Sequence, residues 1–191
     1  MLTIGDKFPQ FKLQACVSTE KGKEFQTLTN ENFAGKWLIF YAYPKDFTFI
    51  CPTELEEAAN YYEEFQKLEA EVMSVSTDTV FAHKAWHDIS PSIKKIKFPM
   101  LADPTGKLCR EFGTYLEAEG LSLRGSFIID PDGILRVMEI HDNSIGRNAR
   151  ELLRKLQAAK FVKEHKGMVC PASWEPGKEA LKPGLDLVGK I

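Results

Sequence analysis

No stretch of this chain approaches the ~20 apolar residues that a membrane-spanning helix requires. A long basic run is also missing, and 25 Lys+Arg against 27 Asp+Glu leave a formal net charge of −2. That balance argues against nucleic acid as the main partner. The opening Met1-Leu-Thr-Ile-Gly-Asp6 has no basic segment followed by an apolar one. No secretory signal is therefore expected, and the cytoplasm is the default location. Cysteine is sparse and scattered at Cys16, Cys51, Cys109 and Cys170. No pair has the close spacing of a zinc knuckle or a Cys-x-x-Cys motif. Such cysteines in a cytosolic chain suggest free thiols or redox catalysis, not structural staples. His83 and His87 stand four apart on an expected helix, but Lys-Ala-Trp between them lacks the Glu of a zinc-protease motif. They read as two surface histidines flanking Trp86; neither a metal nor a cofactor is expected.

What is present is a chain of 191 residues, 43% hydrophobic and 27% charged. That is enough for one substantial domain plus an appendage, with the composition of an ordinary globular protein. The rest is organised around Tyr41-Ala-Tyr-Pro-Lys-Asp-Phe-Thr-Phe-Ile-Cys-Pro-Thr-Glu54. The apolar run Trp37–Tyr43 reads as a buried strand stopped by Pro44. Pro52, with its fixed φ and missing N–H, suits a helix's first position. Cys51 then sits at a helix N-terminal edge, where unpaired N–H groups and the macrodipole favour a thiolate. A lone cysteine is also commonly a small buried hydrophobe, and position alone leaves both readings standing.

Before this stretch, Phe8, Phe11, Leu13, Phe25 and Leu28 suggest short strands or a hairpin around residues 18–23, with Cys16 packed near a strand end. After it, Leu55, Ala58, Tyr62, Phe65 and Leu68 recur at helical spacing. Val72–Ser76 reads as a strand and Thr79–Asp88 as a helix. This strand–helix–strand order points to parallel pairing. Phe98–Ala102 follows as a strand, and 105–112 as a short helix with Cys109 on its inner face. Two further strands, 122–129 and 134–140, are joined by the turn Asp130-Pro-Asp-Gly133. Asn148 with Glu151 resembles a capping box opening another helix. From about Lys166 glycine and proline break regular structure, yet Val169, Trp174, Leu181, Leu185, Leu187 and Val188 keep the tail apolar. An apolar tail packs on its own domain or on a partner.

Pro44, Thr48 and Cys51 form a Pro-x-x-x-Thr-x-x-Cys pattern, and by it the sequence resembles the peroxiredoxins. Supporting stretches are Ser76-Thr-Asp-Thr79, His83–His87, Asp103-Pro-Thr-Gly106, Ile145-Gly-Arg147, Val169-Cys-Pro-Ala172 and the ending Leu185–Ile191. The likeness runs along nearly the whole chain and is strongest to the bacterial alkyl hydroperoxide reductase C group. It implies an α/β, thioredoxin-like fold with an N-terminal extension and a C-terminal arm. The boundary is expected between a peroxidase domain, 1–160, and an arm, 161–191.

The resemblance also implies a chemistry. Cys51 thiolate attacks a hydroperoxide, becomes a sulfenic acid and releases water or an alcohol. Cys170 matches the resolving cysteine of the typical two-cysteine class, whose disulfide crosses a head-to-tail homodimer. Five dimers are expected to close into a ring, and a flavoprotein disulfide reductase or thioredoxin to reopen the disulfide. Arg124 matches the catalytic arginine, Arg147 a second arginine beside the site, and Glu54 a carboxylate that orients them. Lowering a thiol pKa from ~8.5 to ~6 raises its thiolate fraction at pH 7 only about thirtyfold. Most of the acceleration must therefore come from positioning the peroxide and stabilising charge on the departing oxygen, the task suited to Thr48 and an arginine. Two rival readings are a dithiol oxidoreductase, for which Glu54 stands where a second cysteine is needed, and a holdase or ring scaffold. Members sensitive to over-oxidation carry a Gly-Gly-Leu-Gly insertion and a Tyr-Phe-containing extra helix. Here Ser92–Phe98 and Leu187–Ile191 stand in their places, so resistance to over-oxidation is expected.

Overall fold

The computed structural model describes residues 2–190. Met1, the first residue of the Met1–Asp6 opening, and Ile191, the last residue of the Leu185–Ile191 ending, lie outside the described residues. The apolar run after Lys36 forms β3 (Trp37–Ala42), and all six of its residues are buried. A strand covered on both faces needs such an unbroken apolar sequence. β4 (Ala70–Ser76) lies parallel to β3, and β5 (Met100–Ala102) parallel to β4. Helices α1 (Cys51–Asn60) and α2 (Tyr62–Lys67) make the first crossover, and α3 (Val80–Ile89) the second.

The hairpin expected around residues 18–23 is β1 (Lys12–Cys16) with β2 (Phe25–Thr29), added antiparallel beside β5. Helix α4 (Lys107–Phe112) and a small hairpin, β6 (Tyr115–Leu116) with β7 (Leu121–Ser122), follow β5. β8 (Arg124–Ile129) then pairs antiparallel with β3, and β9 (Leu135–His141) with β8. Their turn is shaped as the sequence indicates. The Asp130 carboxylate accepts the Asp132 and Ile134 amides at 2.9 and 3.0 Å, and Gly133 takes φ +79°. Seven of these strands form one sheet in the order β2-β1-β5-β4-β3-β8-β9, apart from the β6–β7 hairpin. This is the α/β, thioredoxin-like architecture expected, with β1–β2 as the N-terminal extension.

Side-chain alternation divides the sheet into two faces. Phe40, Met73 and Phe127 are register partners on one face and pack with Phe8, Phe11 and Phe112. Phe8 stacks on Phe40 with centroids 4.6 Å apart, and Phe112 on Phe127 at 4.3 Å. Tyr41, Ser74 and Ser126, the next register row, point the other way. Arg124 shares that second face with Ser126, two residues along β8. The polar row therefore crosses the centre of the sheet.

One helix expected over Leu55–Leu68 is two. Tyr61 (φ −97°, ψ 4°) separates α1 from α2. Beyond this break Tyr62 and Phe65 are buried, and Tyr62 meets Phe98 edge-on at 5.5 Å. No glycine or proline marks it, so helical spacing alone does not reveal it.

The chain divides after Ala149 into two compact units. The second contains all but the first residue of α5 (Ala149–Glu164) and the arm that follows. In this unit Trp174 is buried, its ring 4.7 Å from that of Phe161, and its Nε1 donates to the Lys178 carbonyl at 3.1 Å. Arg154 donates to the Trp174 carbonyl at 2.9 Å, and Val169 and Leu181 exchange backbone hydrogen bonds. Leu185 and Val188, farther along, stand exposed. Among the described residues no helix is long and apolar enough to cross a membrane.

Candidate active site

Cys51 is the first residue of α1, with Pro52 second. The sulfur is at the helix edge anticipated, and it is fully buried. The loop before it is held at several points. Asp46 N donates to Asp78 at 2.9 Å, and the Thr48 hydroxyl donates to the Lys45 carbonyl at 2.8 Å. Phe47 takes φ +58°, a conformation unfavourable for a bulky residue, and its ring lies 6.0 Å from Trp86. Pro44 is buried where the chain leaves β3, and Thr48 is half-buried.

Glu54 follows Cys51 by three residues, so both side chains share one helical face. That face meets the polar row of the sheet. Arg124 Nη1 lies 3.3 Å from Cys51 Sγ and donates to Glu54 at 2.7 Å. Its Nε and Nη2 are fixed on the Asn143 carbonyl at 3.0 and 2.9 Å. Arg147 grips the same carboxylate through Nε and Nη2, both at 2.9 Å, and through its backbone N–H at 2.7 Å. The chain reaches Arg147 through Gly146, whose missing Cβ would stand 3.4 Å from Ile50 at the start of α1.

Burial pushes the Glu54 carboxyl up, but the hydrogen bonds and charge of Arg147, with the charge of Arg124, outweigh it and hold the pKa below the ordinary value. The cluster thus carries two guanidinium charges against one carboxylate. A thiolate at Cys51 brings the four groups to neutrality, and Arg124 Nη1 is placed to bond it. The arrangement suits attack by sulfur on a substrate that leaves as an oxyanion.

The other thiols differ. Cys109 is fully buried; burial, reinforced by the Asp103 carboxylate, pushes its thiol up to about 12. Cys16 ends β1, and burial raises its pKa also. Cys170 is half-buried in the arm, with Sγ 3.9 Å from the Ala158 carbonyl. Burial raises its pKa as well, partly countered by Arg154.

The expectation that His83 lies on the surface is wrong. Val80, His83 and Trp86 form the buried face of α3. His83 Nδ1 stands 2.7 Å from Asp46 and Nε2 3.1 Å from the Leu101 carbonyl. A carbonyl only accepts, so Nε2 carries the hydrogen of that bond. The Tyr43 hydroxyl donates to the other Asp46 oxygen at 2.7 Å. His87 is half-buried and bonds the Ile96 carbonyl at 3.2 Å. Helical spacing placed His83 with Val80 and Trp86; its polarity concealed that it belongs there.

Comparison with known proteins agrees with this geometry. The model of the AhpC/TSA family matches residues 4–138. The chain belongs to the AhpC/TSA family. A model described as the C-terminal domain of 1-Cys peroxiredoxin matches residues 158–188, which include Cys170. Alkyl hydroperoxide reductase C of Salmonella typhimurium is 51% identical over 191 residues, all of both chains. Its Escherichia coli K12 counterpart is 50% identical over the same span. Among solved structures, Enterococcus faecalis AhpC superposes with TM-score 0.83 at 48% identity, covering 90% of this chain and 100% of that one. Plasmodium vivax 2-Cys peroxiredoxin in its reduced form gives TM-score 0.88 at 30% identity, covering 96% and 94%. As a member of this family the protein is a thiol-dependent peroxidase. Family membership implies peroxide as oxidant and a reductant as partner.

Proposed function

We propose that Cys51 is the sulfur that takes oxygen from the peroxide and that Cys170 resolves the product. The observation that carries the assignment is the 3.3 Å contact from Arg124 Nη1 to Cys51 Sγ, made while Glu54 and Asn143 hold the guanidinium. Cys51 thiolate attacks the nearer oxygen of a hydroperoxide, and the O–O bond breaks. The sulfur becomes a sulfenic acid, and the leaving oxygen departs as water or an alcohol after taking a proton. Arg124 stabilises the negative charge as it moves from sulfur to oxygen. The Thr48 hydroxyl already donates to Lys45, so its lone pairs are available to accept the peroxide's O–H and aim it. Glu54 and Arg147 keep Arg124 in place, and Pro44 fixes the start of the loop.

Cys170 thiol then condenses with the sulfenic acid, releasing water and forming a disulfide. A dithiol or flavoprotein reductant returns two electrons and two protons. A disulfide needs its Cα atoms within ~7 Å. Cys51 is buried inside a helical turn, so the first turn of α1 must unwind before the bond forms. The arm, 161–191, is the resolving part and residues 1–160 the peroxide-reducing part. In this reading the bond joins two copies in a head-to-tail homodimer, five of which close a ring in the cytoplasm.

The test is peroxide-dependent NAD(P)H oxidation with a purified flavoprotein reductase or thioredoxin system, using hydrogen peroxide and an organic hydroperoxide. Wild type should turn over and Cys51→Ser should not. Undiminished turnover by Cys51→Ser sinks the assignment.

A further inference from the structure

Resting on the reading above, we propose that Tyr41 is a positioning residue for peroxide reduction, acting through the face of its ring on Arg147. Arg147 Cζ lies 3.8 Å from the Tyr41 ring centroid. Both side chains are fully out of solvent, where attraction between a cation and a ring is least screened. The edges of this guanidinium are already taken. Nε and Nη2 donate to Glu54, and Nη1 to the Gly125 carbonyl at 2.6 Å and the Ser126 hydroxyl at 3.4 Å. In-plane bonds fix where the group points, and the ring supports it from below. Tyr41 occupies β3, an interior strand, in register with Ser74 and Ser126, so its own place is set by the sheet.

The chain of contacts runs from Tyr41 to Arg147, from Arg147 to both oxygens of Glu54, from Glu54 to Arg124 and from Arg124 to Cys51. If Arg147 loses its seat, Glu54 keeps one guanidinium in place of two. The remaining carboxylate charge then draws Arg124 away from sulfur. The ring, not the hydroxyl, is the active part. Among the described residues the Tyr41 hydroxyl is buried without a hydrogen-bond partner. Burial also raises its pKa above the ordinary value, so it stays neutral.

A similar pair elsewhere supplies a control. Arg110 stands 3.8 Å over Tyr115, but at an exposed site with Glu117 as its partner. The experiment replaces Tyr41 with phenylalanine and then with mono-, di- and trifluorophenylalanine, which keep the ring's shape while draining its negative face. Two readouts are taken: the second-order rate of Cys51 sulfenate formation by stopped flow, and hydrogen exchange at Arg147 Nε–H by NMR. Tyr41→Phe keeps the ring and sets the reference for the series. Along the fluorine series the rate should fall stepwise, to about tenfold slower at three fluorines, and exchange should quicken in parallel. The same series at Tyr115 should leave both unchanged. A flat rate with quickened exchange would reduce Tyr41 to a structural role, and a flat response in both would remove the ring–guanidinium contact from the account. Failure of the Cys51 assignment looks different. Cys51→Ser would then still turn over, while the exchange series would still report on the seat.

Discussion

Around Cys51, three charged side chains are packed out of solvent and bonded from several directions. Around Cys170, a half-buried thiol has a long contact to a carbonyl, and one buried ring, Trp174, ties its segment to α5. The two thiols would take successive steps of one cycle, and their surroundings differ as those steps do. Reaction with peroxide needs fixed charge that does not reorganise. Condensation needs a sulfur that can travel, and so an arm that opens locally.

The comparison breaks most completely at the sulfurs. Cys51→Ser should abolish turnover. Cys170→Ser should keep one peroxide-dependent oxidation and lose recycling. Cys16→Ser and Cys109→Ser should stay active. On a non-reducing gel after peroxide, a disulfide-linked dimer should form in wild type and vanish in both Cys51→Ser and Cys170→Ser. A dimer that survives without Cys170 would mean another thiol resolves.

Next in size is Arg124→Lys, which keeps the charge but loses the planar fork that spans Cys51, Glu54 and Asn143. Sulfenate formation should slow by about 10²-fold, the scale for removing one preorganised donor. Stopped-flow oxidation at wild-type speed would take Arg124 out of the site.

Glu54→Gln asks whether the buried charges also stabilise the fold. It leaves two buried guanidiniums without their carboxylate, at a cost of about 3 kcal/mol in chemical denaturation. The pH dependence has a definite sign. The folded pKa of Glu54 lies below its ordinary value of 4.5. Its contribution is therefore fully present above pH 4.5 and fades as acid carries the pH down through the folded value. Glu54→Gln should flatten that part of the acid-unfolding curve, whereas an unchanged curve would deny the cluster a stabilising role.

The smallest effect sharpens the contrast from the other side. Trp174→Ala removes the ring that ties the arm to α5. Amide exchange around residues 168–181 should quicken while β3, β4 and β8 stay protected. Disulfide formation should accelerate a few-fold, so less Cys51 reaches sulfinic acid across a peroxide series, as intact-mass spectrometry would read. Greater sulfinic acid accumulation would mean that the arm must be held for condensation.

Much of this was legible in the residues. The Trp37–Tyr43 run, Pro44, Pro52 and the Asp130–Gly133 turn carry local signals, and they form the strand end, helix start and hairpin they indicate. The elements that sequence misplaced depend on distant partners. His83 needs Asp46, 37 residues earlier, to be satisfied inside, so its polarity pointed outward while α3 turned it inward. No helix-stopping residue marks the break at Tyr61, beyond which Tyr62 packs on Phe98. Glu54, Arg124 and Arg147 came forward by resemblance alone, because nothing in their local sequence shows that one carboxylate bridges two guanidiniums. Tyr41 was hidden as one more apolar residue in a buried strand, and only the register that sets it beneath Arg147 gives it a part.

The central assignment is tested most directly by the Cys170→Ser protein, reduced and treated with less than one equivalent of hydroperoxide in the presence of a sulfenic-acid trap. Peptide mapping should then place the trapped adduct on Cys51, with Cys16 and Cys109 recovered as thiols. An adduct on Cys16 or Cys109 with Cys51 left reduced would contradict the account.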